Sequence, residues 1–196
     1  MKYRHQLSAI KSNHALRALL ISNSLILISL GMLVPVYALF VQKVGGGALS
    51  AGLTAGALGL TSAVSALLSG RFIDKISPTK TRTILSVGWL GIGFTLLLYL
   101  LVHSITALFI VQIILGFIKT VSSPAFDTLY ARHLDKTSAG QEYGIWEASF
   151  FLTAGIGAVL GGIIVNEFGF NGVFIAMSVL AFIAAAFIMS TPKNVL

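Results

Sequence analysis

The sequence predicts an all-α integral membrane protein, with six transmembrane helices arranged as two three-helix repeats related by inversion across the bilayer. Three observations carry this. The chain is 56% apolar and only 10% charged, with a mean hydropathy of +0.93, whereas a soluble domain carries about 25% charge. Nearly all its basic residues fall in the short segments outside the long apolar runs. The end of the second run also matches the end of the fifth: Ser69 to Ser77 lies over Gly161 to Gly169 in size and polarity, with one copy on each side of the membrane.

Residues 1–17 form a basic N-terminal arm, in which Tyr3 to Arg17 reads as a short interfacial helix with Lys11 and Arg17 among the headgroups. The run that follows, 18–41, has spanning length and no small-x-small cleavage site. It reads as a retained first helix, since a signal peptide has a core of about 7–15 residues. At about 20 residues per crossing, the other spans fall at roughly 48–69, 83–102, 105–127, 144–165 and 172–190, giving a bundle over 18–190 and a tail over 191–196. Lys2, Arg4, Lys11, Arg17, Arg71, Lys75, Lys80, Arg82, Arg132, Lys136 and Lys193 all lie on one side by this arrangement, and Lys43 lies on the other. That asymmetry places both termini in the cytoplasm of a cell that carries the protein in its plasma or inner membrane. It also turns the net charge of +7 into a topology signal, so no nucleic-acid partner is expected. Pro35 and Pro124 each remove a backbone hydrogen bond and are expected to bend or end the first and fourth spans.

Small residues recur at every fourth position in the second span, at Ala51, Ala55, Gly59 and Ala63, beside Gly52-x-x-x-Gly56. The fifth span carries Gly157-x-x-x-Gly161 followed by Gly162. These read as seams where helix backbones approach closely, because packing rather than water expulsion drives association in lipid.

Two charges lie inside the spans, Lys119 about two-thirds of the way along the fourth and Glu147 one turn into the fifth. A charge at such depth costs at least about 2.5–3.5 kcal/mol on insertion scales unless it is paired or faces water. They are expected at comparable depth in the inner leaflet. Either they face a central cavity, paired with each other or with a solute and with Glu147 as the proton-responsive group, or they form a static pair. Asn23, between Ser22 and Ser24, offers a hydrogen bond to solute or to a neighbouring helix. Trp89, Trp146, Tyr37, Tyr99 and Tyr143 fall toward span ends, as interface anchors do. His5, His14, His103 and His133 sit in loops or at span ends without metal-ligand spacing, cysteine is absent, and there is no phosphate-binding glycine loop. Neither a cofactor nor a metal is expected, and neither is an enzymatic activity.

Gly70-Arg71-Phe72-Ile73-Asp74-Lys75, followed by Lys80 and Arg82, resembles the loop motif after the second helix of major facilitator superfamily transporters, with Ser77-Pro78-Thr79 in place of the usual Gly-Arg continuation. Gly31 and Pro35 resemble the family's glycine and proline of helix one. Gly157-Ala158-Val159-Leu160-Gly161-Gly162 is similar to the antiporter signature, with Ala158 where proline is usual and Ala148 where an earlier glycine would stand. Gln112 occupies the place of the fourth-helix arginine of drug/proton antiporters. The resemblance implies one six-helix half of such a transporter, moving a small solute by alternating access, with proton coupling an option. It implies a conformational latch at Gly70, Arg71, Asp74, Lys75 and Arg82, and a pairing of Asp127 with Arg71 or Arg82. Since family members carry two halves, the chain is expected to work in membrane lipid as a homodimer or with a second six-helix half. The alternatives are a non-transporting assembly subunit and a truncated transporter half.

Overall fold

The computed structural model describes residues 13–135 and 138–192. The interfacial helix expected before Asn13, Lys136 and the tail from Lys193 lie outside the described residues. Helix α1 (His14–Gly31) leads through a 3-10 turn at Val34–Val36 into α2 (Tyr37–Lys43), followed by α3 (Ala48–Ile73), α4 (Pro78–Leu98), α5 (Ile105–His133) and α6 (Ala139–Ser190). Five helical segments, 14–43, 48–73, 78–101, 105–133 and 139–190, are long and apolar enough to cross a membrane.

The last of these is 52 residues long, about 78 Å at helical rise, against a hydrocarbon core of about 30 Å. Within it, Gly169 has φ 69° and ψ −174°, so two helical stretches meet at a kink. Only glycine enters that region without steric cost. The sequence pattern puts a connecting segment between residues 165 and 172; the structure instead carries helix through this region and turns at a single residue.

The two internal prolines act differently. Pro35 cannot donate to Gly31 O, and the chain there drops into the 3-10 turn that separates α1 from α2. Pro124 lies inside α5, which continues to His133, so of the two expected effects, a bend or an end, it does not end the helix. The carbonyl it leaves without a donor is that of Thr120, and Ser69 Oγ of α3 lies 3.3 Å from that oxygen. The Ser69 proton goes first to Ser65 O of its own helix at 2.7 Å, so the contact to Thr120 O is the weaker branch of a shared bond.

Helix α1 packs on α6, α3 on α5, and α4 on both α5 and α6. The first contact is backbone to backbone. Ile28 O and Met32 O occupy the places where β-carbons of Gly157 and Gly161 would stand, and a β-carbon on Gly31 would lie 3.1 Å from Ala154 O. Ser29 Oγ adds a 2.8 Å bond to Met177 O in the second stretch of α6. At the α3–α5 crossing a β-carbon on Gly116 would come within 2.7 Å of Leu58 O. Gly52, Gly56 and Gly162, by contrast, have nothing within 4 Å. Within the chain they make no seam; they stand on open faces. Trp89 and Tyr99 are also core residues rather than interface anchors, 3% and 1% exposed. The Tyr99 ring stacks on Phe174 at 4.9 Å in a cluster with Phe40 and Phe170.

Gly161→Ala is expected to destabilise the fold by about 1–3 kcal/mol, because the opposing atoms are backbone and cannot rotate away. Gly52→Ala, made in open space, is expected to stay within about 0.5 kcal/mol. Unfolding in mixed micelles titrated with a denaturing detergent reads both.

Candidate functional site

A cleft of about 280 Å³ opens between α1, α3 and α5, with Tyr99 and Met177 at its back. Its walls are apolar: Leu30, Leu33 and Val34 from α1 and the turn after it, Ala55 and Leu58 from α3, and Leu115 from α5. The break at Pro35 allows Tyr37 to restart the helix facing this space. Gln112 and Lys119 enter from α5, seven residues apart and therefore on one face, about 10 Å from each other.

A directed chain of hydrogen bonds closes one end of the cleft. Tyr99 Oη donates to Gln112 Oε1 at 3.2 Å, and Gln112 Nε2 donates to Tyr37 Oη at 2.6 Å. Tyr37 Oη and Thr54 Oγ1 lie 2.6 Å apart, and Thr54 Oγ1 donates to Ser50 O at 2.7 Å. The last bond uses the threonine proton, so Tyr37 is the donor to Thr54. Gln112 is 4% exposed, and this chain satisfies its amide where lipid offers nothing. It ties the end of α4, α5, α2 and α3 together.

Lys119 stands fourteen residues from either end of α5, at the middle of that helix. Its side chain is exposed to the cleft, and its ammonium has no hydrogen bond or ion pair among the described residues. Glu147 lies eight residues past the start of α6 and lines a separate pocket of about 200 Å³ with Trp146 and Phe150. The two charges therefore line different pockets and do not pair with each other, which corrects the static-pair reading. Trp146 packs with Phe126, Tyr130 and Tyr143, and its Nε1 is buried without a partner. Asn23 is half-buried on α1 and lines neither pocket.

The expected latch divides. Arg71, Asp74 and Lys75 are exposed at the end of α3, their side chains have no polar partner among the described residues, and Gly70 has nothing within 4 Å. Arg82 belongs elsewhere. It is 9% exposed, its Nε donates to Ile188 O at 3.1 Å and its Nη2 to Met189 O. A guanidinium thus caps the end of α6, where carbonyls and the helix dipole favour a cation. Asp127 is exposed and pairs with neither Arg71 nor Arg82, a correction to that expectation as well.

Sequence reading missed Thr54 and Glu142. Glu142 is 3% exposed; its carboxylate accepts from Asp135 N at 2.9 Å, and Tyr130 Oη donates to its carbonyl at 2.7 Å. It closes the connection between α5 and α6. Its one sequence signal is the spacing from Ser138, whose Oγ lies 3.4 Å from Glu142 Oε1.

Residues 19–195 match the family model described as Major Facilitator Superfamily. The chain is similar to the Uncharacterized MFS-type transporter YitZ of Bacillus subtilis, at 28% identity over 163 residues covering 82% of this chain and 96% of that protein. An Uncharacterized MFS-type transporter of Methanocaldococcus jannaschii is 26% identical over 81% of this chain and 40% of its own length. The Multidrug resistance protein MdtG of Dickeya zeae is 27% identical over 93% of this chain and 45% of its own. The chain thus spans nearly all of the first relative and less than half of the other two.

Gln112→Leu is expected to cost about 1–3 kcal/mol, since it leaves the Tyr99 hydroxyl buried and unpaired. Adding Tyr99→Phe removes the orphan, so the double variant is expected to lose less than the two single losses together, with a coupling of about 0.5–3 kcal/mol. A double-mutant cycle on unfolding free energy measures it.

Proposed function

Because this chain belongs to the Major Facilitator Superfamily, a family of multi-pass membrane transport proteins rather than enzymes, we propose that it moves a small solute by alternating access as a parallel homodimer of six-helix halves. Lys119 carries this reading. An unpaired ammonium at mid-depth of a spanning helix does not face lipid without a cost of at least about 2.5–3.5 kcal/mol, so the cleft it lines is a watery cavity that a second half must cover. Gly169 divides α6 into the fifth and sixth crossings, and two three-helix units related by inversion then follow. An even number of crossings and the basic side at Arg71, Lys75, Lys80 and Arg132 put both ends of the bundle in the cytoplasm.

The surface that meets the second copy is the outer side of α3 and of the first stretch of α6. Only 17% of the apolar window of α3 is buried, and its glycines at 52, 56 and 59 stand open. A two-fold axis along the membrane normal sets α3 of each copy against α6 of the other. Gly70, Arg71, Asp74 and Lys75 then act as a latch at the start of the partner's α6, near Gln141 to Gly144, with the Asp74 carboxylate at the positive end of that helix. Glu147 supplies the proton-responsive group. The relatives of about twice this length favour a second reading, a separate six-helix half as partner. The MdtG name makes amphipathic drugs reasonable first solutes to assay.

The chain has no cysteine, so a Gly70→Cys, Gly144→Cys variant reports on its own pairing. Oxidation in native membranes is expected to yield a covalent homodimer. A chain that stays monomeric in the bilayer and still carries solute removes the dimer, and cross-linking to a different membrane protein transfers the role to a separate half. Glu147→Gln is expected to abolish the dependence of proteoliposome uptake on a pH gradient; an unchanged dependence assigns coupling to another group.

A further inference from the structure

The cleft is chemically lopsided. Its walls are apolar, no carboxylate lines it, and its one charge is the Lys119 ammonium, which has no partner among the described residues. At the other end the polar groups are already committed. The Tyr99, Tyr37 and Thr54 hydroxyl protons and Gln112 Oε1 are all used in the chain of bonds that ends on Ser50 O. What remains for a ligand is the three donors of Lys119 and the second N–H of the Gln112 amide. A site rich in donors, poor in free acceptors and positively charged selects an anion. Gln112 and Lys119 share one face of α5 two turns apart, which sets the distance between the charged end and the amide at about 10 Å.

We infer that the cleft binds an amphipathic organic monoanion, with its carboxylate-type head on Lys119 and an apolar body about 10 Å long lying along α5 toward Gln112 and Tyr37. This deepens the transport reading and rests on it for the covered cavity. The ammonium stands among apolar walls with no counter-charge from the described residues, so its field attracts an anionic head without competition. The same field repels a cation of equal length. Loading therefore neutralises the one uncompensated charge of the cleft, and the loaded cavity is easier to close over than the empty one.

The test uses 4-phenylbutyrate and the cationic analogue (4-phenylbutyl)trimethylammonium as labelled probes on the purified full chain in nanodiscs, with empty nanodiscs subtracted for lipid partitioning. Saturable binding of 4-phenylbutyrate is expected, lowered at least tenfold by Lys119→Gln and by Lys119→Met and kept within threefold by Lys119→Arg. The cationic probe is expected to bind the wild type more weakly than it binds Lys119→Gln. Gel filtration certifies that the variants are folded, which the open setting of this side chain favours. No saturable 4-phenylbutyrate binding, equal binding to Lys119→Gln, or a preference of the wild type for the cation overturns the assignment. Lysine-dependent binding without flux in proteoliposomes upholds the anion site and removes the transport reading instead.

Discussion

Hydrocarbon offers a polar group no hydrogen bond, and the arrangement of these helices follows from where the chain satisfies such groups internally. The interhelical bonds fall at points where a single helix cannot complete its own ladder. Pro124 frees Thr120 O, and Ser69 of α3 approaches it. At the end of α6, where intrahelical donors run out, Arg82 of α4 reaches Ile188 O and Met189 O. The end of α5 is held at His133 O by Asn13 Nδ2 at 3.0 Å, while Asn13 Oδ1 caps α1 by accepting from Leu16 N. Each bond fixes the axial register of two helices, which dispersion between smooth apolar faces does only weakly.

Close packing then decides which helices travel together. The contact of α1 with α6 is set by glycine against carbonyl at Gly157 and Gly161, and that of α3 with α5 by Gly116 against Leu58 O. These two pairings share no helix, and α4 joins them by lying on both α5 and α6. The side away from α4 has no comparable seam, and the cleft opens there. At the Tyr37 end a bridge crosses it, through Thr54 and Gln112. A cleft shut at one end by three side-chain bonds and bordered by two independently packed pairs is suited to opening without loss of either seam.

The long apolar helices were legible because their signal is length and hydropathy summed over many residues, which single substitutions barely alter. The break at Pro35 and the glycine seam at 157 and 161 were legible too, since both depend on local backbone chemistry. What escaped was direction. Gly52 and Gly157 read alike in sequence, yet one stands open and the other touches a carbonyl, because spacing places residues on a face without saying what lies opposite. Tyr99 and Trp89 near span ends looked like interface anchors, but tertiary packing buries them. Helix α5 runs past Pro124 to His133, and the sequence cannot state that Ser69 will stand near the carbonyl that proline frees. Arg82 sat in a motif with Arg71 and Lys75, yet helix α4 turns it inward to the end of α6.

Lys119 and Gln112 show two opposite treatments of polarity on one helix face. Gln112 is mostly committed: its carbonyl and one amide hydrogen are bonded within the protein, and one N–H is left over. Lys119 is neither bonded nor shielded. Had structure alone been served, the cheaper residue at mid-depth would be leucine, as at Leu115 one turn earlier, and the energy of placing a charge there would be avoided. A group so placed is stabilised only by what enters the cleft, water or a counter-charge, and its free energy changes with occupancy while that of Gln112 does not. The ends of the cleft thus divide the work between them: one holds the helices in register whether the cavity is full or empty, and the other makes the state of the cavity matter to the helices around it.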